Sequence, residues 1–354
     1  MKITLFIDSL CSGGAQRQLV GLAKLLHKNE YNVEIVTYHK DEFYKPFLID
    51  NEIKHVYLAE GENKIKRIPS FCKYVNKNKP DVLISYLSTP NIIACIAKLF
   101  NRNTKLIVSE RITSRGVGKN EKIRFLLYKL ADFIVPNSYS QEQFIRNNFP
   151  NLTLKTRTIT NFVDTDLFCP STQTDEHNVP IIISVGRITH QKNIINYLKA
   201  LKILVNKGQR FKAIWYGNTD NIKYQDKCLN LMNEFQLNNF FEFRPATSDI
   251  LTEYQKADLF CLPSTYEGFP NVVCEAMCCG LPIACSDVCD NPLIVEDGLN
   301  GLLFNPNDIN DIAEKIERLL SHDKIIDMRV SNREKSINLF SSNTFLNKYL
   351  ELFK

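Results

Sequence analysis

Two glutamates eight residues apart, Glu267 and Glu275, bracket the segment EGFPNVVCE, which follows the apolar run Leu259–Leu262. Pro270 suits the first turn of a helix, where its missing N–H costs nothing. Gly280 and Pro282 then supply the stop, so the spacing predicts a helix from Pro270 to Cys279. The amides of Phe269, Asn271 and Val272 would face whatever lies ahead of that helix, an end that favours phosphate. Carboxylates beside such an end suit hydroxyl groups rather than phosphate: a sugar on one side of a diphosphate and a ribose on the other. The alternative is one solvated glutamate and one on a helix surface.

Two cations stand in a comparable place. Arg187 and Lys192 lie in GRITHQKN, after the apolar run Pro180–Val185. A guanidinium and an ammonium fixed there would neutralise the charge that develops on a departing diphosphate. Taken alone, they also read as solvated loop charges. Gly13 and Gly14 follow the first apolar run, Lys2–Ile7, and without side chains they permit close approach of a diphosphate or sugar; a simple tight turn is the other reading. Asp164-Thr165-Asp166 has the D-x-D form of a metal site, but it falls in connecting sequence rather than after a nucleotide-binding strand. With two cations available, no metal or other cofactor is expected. Cys274, Cys278, Cys279, Cys285 and Cys289 lack C-x2-C spacing and an intervening His, and read as small buried hydrophobes.

Positioning these groups requires a scaffold. Short apolar runs alternate with helical patterns along all 354 residues. The first half has runs at 2–7, 32–37, 54–58, 81–86, 105–109 and 133–136; the second has them at 180–185, 211–216, 240–243, 259–262, 282–285 and 301–304. Continuous apolar runs joined by helices imply parallel sheets buried on both faces. The expectation is two Rossmann-like, doubly wound α/β domains facing each other across a cleft. Residues 1–165 form the N-terminal domain, 166–179 a polar linker and 180–340 the C-terminal domain. A last helical pattern at 341–354 is expected to pack back on the first domain.

Residues 1–165 hold 25 Lys and Arg against 15 Asp and Glu, whereas the remainder holds 19 against 24. That asymmetry predicts an anionic partner on the first half: a membrane surface, a lipid diphosphate or nucleic acid. No zinc-finger, RNP or helix-turn-helix pattern supports nucleic acid. In 119–133, Ile123, Leu126, Leu127 and Leu130 form a helical arc, read here as packing on its own sheet. Lys122 and Lys129 beside it, with Lys64, Lys66 and Arg67, suit an anionic membrane or a lipid diphosphate. No apolar stretch approaches the roughly 20 residues of a membrane span. The N-terminus lacks the form of a secretory signal, and 11 cysteines without a regular framework suit reduced thiols in the cytoplasm.

EGFPN…E resembles the signature of the retaining glycosyltransferases of family 4, which have the GT-B fold. GRITHQKN resembles the family's donor-phosphate motif, SGGAQRQ (Ser12–Gln18) its glycine loop, and NFVDTDLFCP (Asn161–Pro170) its inter-domain sequence. SERITSR (Ser109–Arg115) is similar to a segment of members that extend bacterial lipid-linked or surface glycans. The resemblance implies transfer of a hexose or N-acetylhexosamine from a nucleoside-diphosphate sugar, with UDP expected, to a glycan or polyprenyl-diphosphate-linked acceptor. It places the enzyme in the cytoplasm, at the cytoplasmic face of the inner membrane for a lipid-linked acceptor. It implies that Glu267 holds sugar hydroxyls, Glu275 the ribose, Arg187 and Lys192 the diphosphate, and that Arg244 lies by the base. The family's His after the fourth strand is missing from SYLSTPNI, so Ser88, Asn91, Glu110 and Arg111 stand as acceptor-side candidates, the last two alternatively as a structural ion pair. A sugar-nucleotide epimerase of similar fold is the main alternative. A dinucleotide dehydrogenase is disfavoured because no G-x-G-x-x-G follows the first strand.

Overall fold

The computed structural model describes residues 1–111, 113–114, 116–172, 179–321 and 325–354. The chain divides into two compact units: Met1–Phe162 with Ser342–Lys354, and Val163–Ser341. The segment Val163–Phe168 therefore belongs to the second unit; residues 173–178 of the polar stretch lie outside the described residues.

The first unit holds β1 (Lys2–Phe6), β2 (Asn32–Thr37), β3 (Lys54–Tyr57), β4 (Val82–Tyr86), β5 (Lys105–Glu110) and β6 (Phe133–Pro136), all parallel, in the order β3-β2-β1-β4-β5-β6. The second holds β7 (Ile181–Val185), β8 (Lys212–Tyr216), β9 (Phe241–Arg244), β10 (Leu259–Leu262), β11 (Ile283–Ser286) and β12 (Gly301–Phe304), ordered β12-β11-β10-β7-β8-β9. Read from the other edge, that is the same winding. Each sheet carries an apolar core on both faces, which is why its strands read as continuous apolar runs. In both units the chain reverses direction across the sheet beside the first strand, between β1 and β4 and between β7 and β10. Beyond the carboxyl ends of those strands a doubly wound sheet leaves room for a ligand. The helix Ser342–Phe353 closes one face of the first sheet, where the hydroxyls of Tyr349 and Tyr86 lie 2.8 Å apart.

Residues 119–133 differ from the sequence expectation. The helix covers Lys119–Leu127 and tightens into a 3-10 turn at Tyr128–Leu130. Its inward residues are Arg124, Phe125 and Tyr128, while Ile123 and Leu126 are 57% and 59% exposed; only Leu127 and Leu130 pack partly on the core. Two aromatic rings win the interior because they bury more apolar area than aliphatic side chains.

Glu34 is a charged group inside the first unit. Thr4 Oγ1, Tyr74 Oη and Lys54 Nζ donate to its carboxylate at 3.1, 2.5 and 2.8 Å. Burial pushes the carboxyl up, but these bonds and the charge of Lys2 outweigh it, so its pKa lies below the ordinary 4.5. Its contribution to stability is therefore complete above about pH 4.5 and is lost as pH falls through the lower folded value. Glu34→Gln should cost about 1–3 kcal/mol at pH 7. Urea unfolding should show that gap narrowing as pH drops below 4.5; a gap that stays constant would mean the ionised form contributes nothing.

Candidate active site

In the second unit the loop after β7 and the loop after β10 are tied together. The Thr265 amide donates to the Gln191 carbonyl at 2.8 Å, and Gln191 Nε2 donates to the Tyr266 carbonyl at 2.9 Å. This lacing brings Lys192 Nζ to 2.7 Å from Glu267 Oε1, with side chains only 13% and 9% exposed. Gly186 makes room for that lysine: a Cβ there would stand 2.7 Å from Lys192 Cε. Arg187 is placed differently. It extends into solvent, 70% exposed, and its contact with Asp220 at 3.4 Å is a surface pair of small energetic value.

Glu275 points into the unit, 4% exposed, and Tyr254 Oη donates to its Oε2 at 3.2 Å. Nothing in the sequence flagged Tyr254, which sits on a separate short helix, Ile250–Lys256. The helix after β10 runs Asn271–Cys278, with Pro270 as its N-cap rather than its first-turn residue. One amide expected to face a ligand is already used: that of Asn271 donates to the Phe269 carbonyl at 3.0 Å. The Val273 and Cys274 amides both go to the Pro270 carbonyl. Val272 follows in the first turn and packs partly against the core, and the Phe269 ring is buried there against Phe340.

Arg244 closes β9, and its guanidinium reaches back to Tyr216 Oη at 2.7 Å and to Glu242. Burial, together with the hydrogen bond the Tyr216 hydroxyl donates to the Glu253 carboxylate, pushes the phenol up to about 12. Arg244 also lines an open pocket of about 350 Å³ with Gly217, Asn218, Thr219 and Phe243.

In the first unit Gly13 has φ −166, an extended backbone open to any residue. A Cβ there would lie 2.4 Å from Gln16 Oε1, so a side chain at this position would have to displace the Gln16 amide. Gln16 in turn reaches Asp8 Oδ1 at 3.3 Å, and Gly14 opens the helix Gly14–Lys28. Gln18, from the same motif, clasps the backbone of Phe162 with both ends of its amide.

Glu110, the last residue of β5, and Arg111, the first beyond it, take different partners rather than each other. Arg111 lies over the Tyr86 ring at 4.0 Å and donates to Asn161 and Tyr349 at 2.5 and 3.0 Å. Glu110 is buried with Tyr128 donating to it and Arg124 at 3.5 Å. Burial pushes its carboxyl above the ordinary range despite Arg124. Asn91 is wholly buried, bonded to Ser85, Tyr128 and the Ser109 carbonyl, so its amide is committed inside the unit. Ser88 is half-buried at the head of the helix Ser88–Lys98. Within SERITSR, Ile112 and Arg115 lie outside the described residues.

Asp164 accepts from the Leu167 amide at 3.2 Å and so serves as a turn residue. Among the described residues no cluster of His, Cys, Asp and Glu is arranged to hold a metal. Cys274, Cys278, Cys279 and Cys285 are buried free thiols, and burial pushes that of Cys278 up to about 11.

A Glycosyltransferase Family 4 model matches residues 12–167, and a Glycosyl transferases group 1 model matches 171–337. The chain belongs to the family 4 glycosyltransferases. A Campylobacter jejuni GalNAc-α-(1→4)-GalNAc-α-(1→3)-diNAcBac-PP-undecaprenol α-1,4-N-acetyl-D-galactosaminyltransferase is 28% identical, over 99% of this chain and 98% of the relative. An N-acetylgalactosamine-N,N′-diacetylbacillosaminyl-diphospho-undecaprenol 4-α-N-acetylgalactosaminyltransferase of the same organism is 26% identical over 92% and 91%. The crystal structure of Anabaena HepE in complex with UDP superposes with a TM-score of 0.87 at 20% identity, covering 99% of each chain. The fold is therefore GT-B. Among the described residues, no helix of this glycosyltransferase is long and apolar enough to cross a membrane.

Proposed function

We propose that this glycosyltransferase moves a hexose or N-acetylhexosamine, with retention, from a UDP-sugar to a glycan carried on a polyprenyl diphosphate, in the building of a bacterial surface polysaccharide. The observation that carries the reading is the Lys192–Glu267 pair at the carboxyl ends of β7 and β10. A cation and a carboxylate joined there match the two parts of a sugar nucleotide that meet at the scissile bond. Lys192, with Arg187 swinging in from solvent, takes the charge that gathers on the β-phosphate as the anomeric C–O bond breaks. Glu267 accepts from the sugar hydroxyls. The acceptor hydroxyl attacks the same face of the anomeric carbon, and its proton leaves on the departing diphosphate. Glu275, steadied by Tyr254, accepts from the ribose hydroxyls. The Arg244 pocket takes the base. No step calls for a metal.

The acceptor class is supported by the two Campylobacter relatives, whose names specify undecaprenyl-linked glycans. Exposed Ile123 and Leu126 beside exposed Lys119 and Lys122 suit contact with an anionic membrane, which supports work at the cytoplasmic face of the inner membrane, where a lipid-linked acceptor would lie.

Release of UDP on incubation with UDP-sugars and a polyprenyl-diphosphate-linked glycan tests the transfer. A sugar altered with no acceptor present, and UDP still attached, would instead reveal an epimerase. Calorimetric titration of Glu275→Ala with UDP should show a loss of about 0.5–1.5 kcal/mol, roughly two- to tenfold in Kd. Unchanged affinity would defeat the ribose assignment.

A further inference from the structure

Arg124 carries no motif signal, yet it sits beneath two loops at the carboxyl end of the first sheet. Its side chain is 9% exposed. Nη1 donates to Ser88 Oγ and Nη2 to Ser114 Oγ, both at 2.8 Å, and Nη2 lies 3.5 Å from Glu110 Oε2. Ser88 begins the helix after β4; Ser114 lies in the loop after β5. Gln141, from the helix Tyr139–Asn148, holds Ser114 as well, accepting from its amide at 2.8 Å.

A second observation bears on the same place. Leu87, which joins β4 to the Ser88 helix, has φ 77 and ψ 155. That region is open to glycine and strained for a leucine, and such strain persists only where surrounding bonds over-determine it. The Arg124–Ser88 bond is fastened to the very next residue. β4 is also the strand beside β1, where the order of the first sheet reverses.

We propose that Arg124 is a positioning residue for sugar transfer: anchored by Glu110 below, its guanidinium holds Ser88 and Ser114 in place and keeps the Leu87 turn in its strained form, so that the two loops present a fixed surface to the acceptor. A lysine would keep the charge but lacks the planar fork that bonds two hydroxyls at once. The inference rests on the transferase reading and adds to it a residue that need not touch either substrate.

Steady-state kinetics of Arg124→Lys with donor and acceptor varied separately tests it, alongside UDP titration. The expected result is unchanged UDP affinity and donor KM, with acceptor kcat/KM reduced on the order of 10²-fold, the scale of a displacement of about 1 Å. Ser88→Ala should reproduce part of the loss, and the double variant should be no worse than Arg124→Lys, since both remove one bond. Hydrogen exchange should quicken over 86–92 and 109–118 alone. Equal losses for donor and acceptor that follow a fall in melting temperature would overturn the proposal. So would wild-type acceptor kinetics in both Arg124→Lys and Ser88→Ala. Wild-type protein that transfers no sugar would sink the transferase reading itself, and this proposal with it.

Discussion

Lys192→Ala should lower kcat by about 10²–10³-fold, the cost of removing one preorganised charge partner from a transition state. It should also destabilise the second unit, because Glu267 is left as a buried carboxylate without its cation. Removing one member of a buried pair costs about 3–5 kcal/mol, and partial exposure here places the effect toward the lower end. The two losses separate in a double variant. Lys192→Ala with Glu267→Gln removes the stranded charge, so urea unfolding should recover most of the stability while turnover stays low. If turnover recovers too, the lysine serves only to neutralise the glutamate, and the leaving-group role is wrong.

Gly217→Ala should have the next largest effect. Gly217 is absent from the residues with positive φ, so alanine's own backbone preference is not at issue. The obstacle is contact: a Cβ would lie 2.0 Å from the Gly186 carbonyl oxygen and 2.7 Å from its carbon. Both groups are backbone, and the Gly186 carbonyl also accepts from Trp215 Nε1 at 2.8 Å, so it is not free to turn away. Overpacking of this kind costs about 1–3 kcal/mol or more. Moving the Gly186 peptide also displaces the start of the loop that carries Arg187 and Lys192, so kcat/KM should fall on the order of 10²-fold. Wild-type unfolding midpoint and kinetics would mean that the β7 loop rides over β8 with room to spare.

The charges of the β7 loop were legible in the sequence, but the crowding that shapes the loop was not. Gly186 and Gly217 matter because of what passes beside them, and neither neighbour is adjacent in sequence to the glycine it crowds. Asn271 shows the converse: its position at a helix start was legible, yet its amide turns to Phe269 because the chain enters the helix through an N-cap at Pro270.

Among the described residues the strands could be read from sequence to within a residue or two, since most are buried on both faces and apolar along their length; the partly exposed edge strands β3 and β9 carry polar residues as well. The motif segments could be read as well, because their residues are contiguous. What the sequence left open was who meets whom. Glu110 and Arg111, neighbours in the chain, go to different partners, Arg124 for the one and Tyr349 for the other, whereas Lys192 and Glu267, 75 residues apart, share a bond. Arg124 turns inward while Ile123 stays in solvent. Local pattern records which residues need burial; the partner each charge finds is decided by which strand ends the parallel crossovers bring side by side, and that is set only when the sheets close.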